Sequence, residues 1–94
     1  MNKYEVMFIV KPAEEEAVNN AVLKVENLIK ANGGTVEKVD RWGKRRLAYE
    51  VKDFMEGHYM LLFFSAPAKA IAELDRVMKI TDEILKHMVI KHEE

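Results

Sequence analysis

The chain has 94 residues, a formal net charge of −1, no cysteine and one tryptophan. This length favours a single domain, residues 1–94, whose core needs no disulfide or metal. No apolar run is long enough to span a membrane, and the first residues lack the pattern of a signal peptide, so we expect a cytoplasmic protein without a membrane partner. A net charge near zero also argues against coating nucleic acid through bulk electrostatics.

The first third of the chain has the pattern of a strand followed by a helix. Apolar side chains alternate over residues 3–11, which predicts a strand that Pro12 ends. Three glutamates at 14–16 then supply negative charge to the first turn of a helix, with an apolar stripe that continues to Ile29. The run Asn-Gly-Gly at 32–34 predicts the end of that helix.

Extended structure is predicted for residues 35–52, with a bulge or bend at Gly43. Val36 and Val39 would lie on opposite faces of an unbroken strand, so the face that Trp42 occupies stays open until the bulge is placed. A turn at 53–57 and a nearly continuous apolar strand at 58–64 follow.

The last third predicts a second helix and a final strand. Residues 65–67, Ser-Ala-Pro, are expected to begin the helix, with Pro67 at its first position. Residues 84–91 alternate as a strand, before a short polar end at 92–94. The order strand, helix, strand, strand, helix, strand predicts an α+β, ferredoxin-like fold, in which a four-stranded antiparallel sheet carries both helices on one face. The other sheet face is then open to binding.

Catalytic chemistry has little support. The only serine is Ser65, and no cysteine is present. The histidines, His58, His87 and His92, lack the spacing of a helical zinc site, and the glutamates at 14–16 suit a helix start better than a metal cluster. We therefore expect no enzyme activity, no cofactor, no metal site and no small-molecule substrate.

Positive charge is concentrated in residues 35–52, which carry six basic and three acidic side chains, a local excess of +3. Arg41, Lys44, Arg45 and Arg46 lie within six positions, beside Trp42. Guanidinium groups grip phosphates or carboxylates and an indole can stack, so the segment suits a nucleic acid or protein partner. A charged strand edge that resists aggregation, with Trp42 in the core, would have the same sequence.

An RNA-recognition motif shares the predicted element order and stacks bases on aromatic side chains of its inner strands. Aligning its third-strand pattern at Glu56 matches only Gly57 and Phe63 among seven specified positions. The aromatic residues of the first and third strands are therefore interpreted mainly as core residues, with an exposed aromatic face as the alternative: Tyr4, Phe8, Tyr59 and Phe63.

Residues 42–49, Trp-Gly-Lys-Arg-Arg-Leu-Ala-Tyr, resemble the signature of the bacterial small-subunit ribosomal protein six family. The likeness extends over nearly the whole chain, including the strands at 4–10, 57–60 and 88–91. Many members have proline and isoleucine where this chain has Glu50 and Val51. Longer members also carry a polar tail after the position of Glu94, so contacts of such a tail are not expected here.

The resemblance implies a non-enzymatic component of the small ribosomal subunit with a ferredoxin-like fold. It implies a heterodimer with ribosomal protein eighteen that binds the central domain of the small-subunit ribosomal RNA. The basic and indole side chains in the matching motif or directly before it are assigned to the RNA and partner surface: Arg41, Trp42, Lys44, Arg45 and Arg46. Leu47 and Tyr49 are assigned to packing. Because the net charge is only −1, we hypothesise that a more basic partner supplies part of the phosphate neutralisation.

Overall fold

The computed structural model describes residues 1–92 and has the predicted order of elements. Its strands and helices are β1 (Asn2–Val10), α1 (Glu15–Ala31), β2 (Thr35–Val51), β3 (Phe54–Ala66), α2 (Ala70–Ile80) and β4 (Ile84–His92). All neighbouring strands are antiparallel, and the sheet order is β2-β3-β1-β4. The predicted ferredoxin-like fold is confirmed. Of the expected polar end at 92–94, His92 belongs instead to β4, and residues 93–94 lie outside the described residues.

Both helices pack on one sheet face, called here the covered face. On this face β1 and β3 place Val6 opposite Leu62 and Phe8 opposite Met60, all four at most 3% exposed. The apolar stripes of the helices join the same cluster: Val18, Ala21, Val22, Val25 and Ile29 from α1, and Ala70, Leu74 and Met78 from α2. Burial of these stripes is what holds two short helices on the sheet.

The side chains of β2 do not alternate regularly, because the strand contains bulges. The pairing with β3 shifts between Val36 and Lys38, so Glu37 is an extra residue in β2. Val36 and Val39 consequently lie on the same face, and both pack against the main core. The conflict between these two valines in the sequence pattern is therefore resolved by one inserted residue.

A second shift, between Arg41 and Gly43, makes Trp42 an extra residue of the strand. Gly43 has a φ of +83°, and no other atom lies near the position that a Cβ would take. Glycine is thus suited to this place by its backbone conformation rather than by lack of space. The bulge that was predicted near Gly43 is confirmed.

The predicted turn at 53–57 is wrong in length. Only Lys52 and Asp53 form the turn, both with positive φ, and β3 begins at Phe54. Two central residues of positive φ match the twist of a tight hairpin, a conformation that aspartate tolerates better than most residues. Gly57 lies inside β3, where a Cβ would meet the side chain of Ile9 and come within 3.0 Å of the Val10 carbonyl oxygen.

The predicted start of α2 is also wrong. β3 continues to Ala66, because its last residues pair with β1 and β2 on either side. Pro67 precedes the helix instead of occupying its first position, and its carbonyl accepts a hydrogen bond from the Ala70 N–H at 2.9 Å. Sheet pairing on both sides has here overridden the local signal for a helix start.

The opposite sheet face carries no helix and is called here the open face. The prediction of four aromatic core residues is half right: Tyr4 and Phe8 are buried on the covered face, whereas Tyr59 and Phe63 are half-buried on the open face. Tyr59 packs against a small second cluster whose buried members are Ile9, Leu47 and Leu85. That cluster fastens the distal part of the β2–β3 hairpin to the open face.

Candidate RNA and partner interface

The five residues predicted to bind RNA or a partner lie in the middle of β2, and all five are exposed. We call residues 41–46 the basic segment. The bulge at Trp42 determines which way its members point. Arg41 pairs with Met60 on the covered face, whereas Gly43 pairs with Tyr59 on the open face. Lys44 and Arg46 then follow the covered face, and Arg45 follows the open face.

Two cations of the basic segment have polar partners within the chain. The Arg41 guanidinium donates a hydrogen bond to Oδ1 of Asn19 in α1 at 2.7 Å. The Lys44 ammonium lies 3.1 Å from Oε2 of Glu56, with about half of each side chain exposed to water. Exposed pairs of this kind contribute little to stability and are readily exchanged for another anion.

Arg45 makes a different contact. Its guanidinium carbon lies over the Trp42 ring, 5.5 Å from the ring centroid. Its Nε is 3.5 Å from the Trp42 carbonyl oxygen, which is a long hydrogen bond. Trp42 is 43% exposed, so it is not the core residue that one reading of the sequence allowed. The structure instead joins the indole to an arginine at the surface.

Within residues 1–92, no salt bridge includes Arg45 or Arg46. Arg46 faces Glu56 across the strand pair, but that carboxylate contacts Lys44. The two arginines therefore keep a positive charge that no carboxylate of the described chain neutralises. An anionic ligand at this place meets cations without first displacing an internal partner.

Packing of the hairpin differs in part from the prediction. Leu47 is buried in the second cluster, as expected, but Tyr49 is 59% exposed. The Lys86 ammonium donates a hydrogen bond to the Tyr49 hydroxyl at 2.8 Å, and this bond raises the pKa of Lys86. These side chains border a shallow cavity of about 110 Å³, lined by Met7, Ile9, Leu47, Ala48, Tyr49, Val51, Tyr59 and Lys86.

The open face carries apolar side chains that the sequence analysis did not assign to a site. Met88 and Ile90 of β4 are 47% and 43% exposed, and Met7, Leu61 and Phe63 beside them are half-buried. Their alternation with the covered residues of the same strands is a signal that could have located this surface. Exposed apolar surface of this kind is typical of a site that another molecule covers.

Two of the three histidines contact a carboxylate of another element. His87 lies 2.6 Å from Asp75 of α2, and His92 lies 2.9 Å from Glu5 of β1. No group of three or more possible metal ligands occurs among residues 1–92. In the same part of the chain, no helix has the length and apolar character needed to cross a membrane.

Comparison with known proteins gives one family. The sequence model described as Ribosomal protein S6 matches residues 3–91. A small ribosomal subunit protein bS6 of Desulforamulus reducens is 50% identical over 95 aligned positions, which cover all of both chains. A protein of the same name from Clostridium botulinum, strain Loch Maree, is also 50% identical, over 99% of this chain and all of its own.

A solved structure agrees with these sequence matches. The crystal structure of the 30S ribosomal protein S6 from Thermotoga maritima superposes with a TM-score of 0.90 at 34% identity. The match covers 97% of this chain and 87% of that one. The chain therefore belongs to the ribosomal protein S6 family of the small ribosomal subunit, as the resemblance predicted, and this membership carries the expected location on the cytoplasmic ribosome of bacteria.

Proposed function

We propose that this protein is a structural, non-enzymatic component that binds the central domain of the small-subunit ribosomal RNA as a heterodimer with ribosomal protein eighteen. The basic segment is the RNA surface in this proposal, and the open face is the surface for the protein partner. Family membership supports the ribosomal role, and the two surfaces support its division between RNA and protein.

The observation that carries the proposal is that Arg45 and Arg46 are exposed on β2 and that no carboxylate among residues 1–92 forms a salt bridge with either. Each phosphate that such a cation contacts releases condensed counterions, which makes binding favourable and dependent on salt. The residues outside 35–52, however, carry a net charge of −4, so they add no net attraction for RNA. A basic partner is therefore needed for tight binding.

The open face supports a protein partner rather than a second RNA surface. Its centre consists of aliphatic, thioether and phenyl side chains, and its charged neighbours are engaged locally, Glu5 by His92 and Lys86 by Tyr49. A partner that covered Met88 and Ile90 would remove apolar surface from water, which is worth roughly 25 cal/mol per Å². Polynucleotide backbones offer no such gain.

The test is the affinity for a central-domain RNA fragment, measured with and without ribosomal protein eighteen. We expect the heterodimer to bind at least about tenfold more tightly, which corresponds to about 1.4 kcal/mol. Equal affinities would contradict cooperation between the two proteins.

Two double variants that remove the same amount of charge distinguish a specific role of the basic segment from an effect of net charge alone. Replacing Arg45 and Arg46 by alanine should weaken RNA binding and reduce the slope of affinity against salt by about one to two phosphate contacts. Replacing Lys30 and Lys79, exposed lysines at the ends of the two helices, changes net charge equally and should have a smaller effect. If the arginine variant lowers thermal stability but leaves heterodimer and RNA binding intact, the assignment of the basic segment is wrong.

A second candidate is a module that binds single-stranded RNA on its sheet, as RNA-recognition motifs do. Tyr59 and Phe63 on the open face favour it. However, Lys38 lies over the Phe63 ring at 5.7 Å, His92 packs against that ring edge-on, and Tyr59 is engaged by the second cluster. Tight binding of unstructured RNA by the chain alone, lost in Phe63→Ala, would favour this candidate.

A further inference from the structure

We infer that Trp42 and Arg45 together form a stacking site for one unpaired RNA base. The inference rests on the proposed RNA binding and adds to it a mode of recognition that phosphate contacts do not supply. Unpaired bases are recognised by stacking on aromatic rings and guanidinium planes, and each such contact contributes independently of the charge on the backbone.

The geometry of β2 presents this pair outward. Trp42 is the inserted residue of a bulge, so it has no partner of its own in the pairing with β3. Gly43, with a φ of +83°, provides the bend that follows it. Arg45, two residues beyond the bend, lies over the ring at 5.5 Å and restricts its motion. A ring held in this way loses less conformational entropy when a base stacks on it.

Other exposed aromatic residues are less suitable. Tyr49 lies under the Lys86 ammonium at 5.1 Å, and its hydroxyl accepts a hydrogen bond from the same group. An ammonium is a compact, strongly hydrated charge that does not extend a stack, whereas a guanidinium is planar and does. Trp42 therefore has both the larger ring and the neighbour of the right shape.

The charge around the pair favours RNA over a protein as the occupant. Arg41, Lys44 and Arg46 lie within the same six positions of the chain, and of these only Lys44 forms a salt bridge among residues 1–92. A base that stacks on Trp42 brings its phosphate with it, into this positive surrounding. A protein side chain that packed on the indole would have to leave Arg45 without a counterion or supply a carboxylate to it.

The experiment uses the heterodimer and a central-domain RNA fragment. Trp42 is the only tryptophan of the chain, so the difference in emission between the wild type and Trp42→Phe reports this residue alone. We expect RNA to quench the emission of Trp42. We expect Trp42→Ala to weaken binding about 5- to 150-fold, the range that stacking of one base contributes, and Trp42→Phe to weaken it less.

Abasic substitution of single RNA positions identifies the base. At one position the abasic RNA should bind the wild type as weakly as intact RNA binds Trp42→Ala, and Trp42→Ala should not respond to that substitution. Tyr49→Ala serves as the aromatic control and Arg46→Ala as the cationic control. Both should remain sensitive to the abasic position, and Arg46→Ala should differ from the wild type chiefly in its salt slope.

Three results would overturn the inference, and they differ from one another. If Trp42→Ala binds RNA as tightly as the wild type, the stacking site is wrong while RNA binding stands. If ribosomal protein eighteen alone quenches Trp42 and Trp42→Ala weakens the heterodimer, the occupant is the protein. If the wild-type heterodimer does not bind the RNA, the proposed function fails and the stacking site with it. Thermal unfolding of each variant, expected to match the wild type for an exposed residue, accompanies every measurement.

Discussion

The two faces of the sheet are made by alternate residues of the same strands and are both apolar, yet they differ in how far their side chains are buried. On the covered face Leu62 and Phe64 are at most 1% exposed, while their neighbours Leu61 and Phe63 remain half-buried on the open face. The covered face is fully occupied by the protein's own helices. The open face is apolar without being covered, so residues one position apart are expected to serve stability in one case and binding in the other.

The sharpest test of this difference replaces a leucine by alanine on each face in turn. Leu62→Ala should lower the free energy of unfolding by about 2–5 kcal/mol, because it leaves a cavity among fully buried neighbours. Leu61→Ala should lower it by about 1 kcal/mol or less and weaken the heterodimer instead. Urea denaturation and heterodimer affinity measure the two effects. Equal losses of stability would mean that the open face is part of the core.

A substitution of Gly57 tests how closely this residue of β3 packs against β1 on the open face. Gly57→Ala should lower the free energy of unfolding by about 1–3 kcal/mol, because the new Cβ meets the Ile9 side chain and the Val10 carbonyl oxygen. In combination with Ile9→Ala, which removes part of that obstruction, the loss should be smaller than the sum of the single losses. An additive result in denaturation would show that the contact with Ile9 is not the cause.

A polar substitution at the exposed part of the open face should affect binding alone. Met88→Gln should change the free energy of unfolding by no more than about 0.5 kcal/mol and weaken the heterodimer several-fold. Ile80→Gln is the matched control, because Ile80 is also exposed but lies at the end of α2. A heterodimer that is equally sensitive to both variants would argue against the open face as the docking surface.

The smallest predicted effect lies away from both faces, at the ion pair between Lys24 and Glu83. The Lys24 ammonium is 2.8 Å from the Glu83 carboxylate, and its hydrogen bond holds the pKa of Glu83 below its ordinary value of 4.5. The stabilisation is therefore present above this value and is lost as the pH falls through the lower pKa of the folded state. Because the two side chains are 63% and 35% exposed, the pair contributes at most about 1 kcal/mol.

Glu83→Gln provides the measurement for this pair. The loss of unfolding free energy between about pH 7 and about pH 3 should be smaller in the variant, by no more than the contribution of the pair. Identical pH profiles would mean that the contact is not formed in solution.

Much of the fold follows from periodicity, since element order and helix faces depend on local patterns of apolar residues. The errors occur where tertiary contacts override a local signal. Pro67 suggested a helix start, but strand pairing on both sides keeps the preceding residues in β3. The hairpin turn consists of Lys52 and Asp53 and contains no glycine. The predicted turn extended to Gly57, because a glycine suggests a turn and its close packing against Ile9 inside β3 cannot be inferred from the sequence.

The sequence predicted which residues form the candidate site but not which contacts they make. The basic residues are recognisable in sequence, whereas the contacts that distinguish Arg41 and Lys44 from Arg45 come from Asn19, Glu56 and Trp42. Their formation depends on the bulges of β2, which set the register of this strand against β3. An open sheet face was predicted from the order of the elements, but the exposure of Met88 and Ile90 on it is known only from the structure.

The sheet order means that the complete sheet can form only after the last strand has been synthesised. β1 is made first but lies between β3 and β4, and the pairing of Lys3 with His92 joins the earliest strand to the latest. Contacts of such long separation form slowly, since a large loop must close before any pairing energy is gained. During synthesis one edge of β1 therefore stays unpaired until β4 has emerged from the ribosome that synthesises the chain.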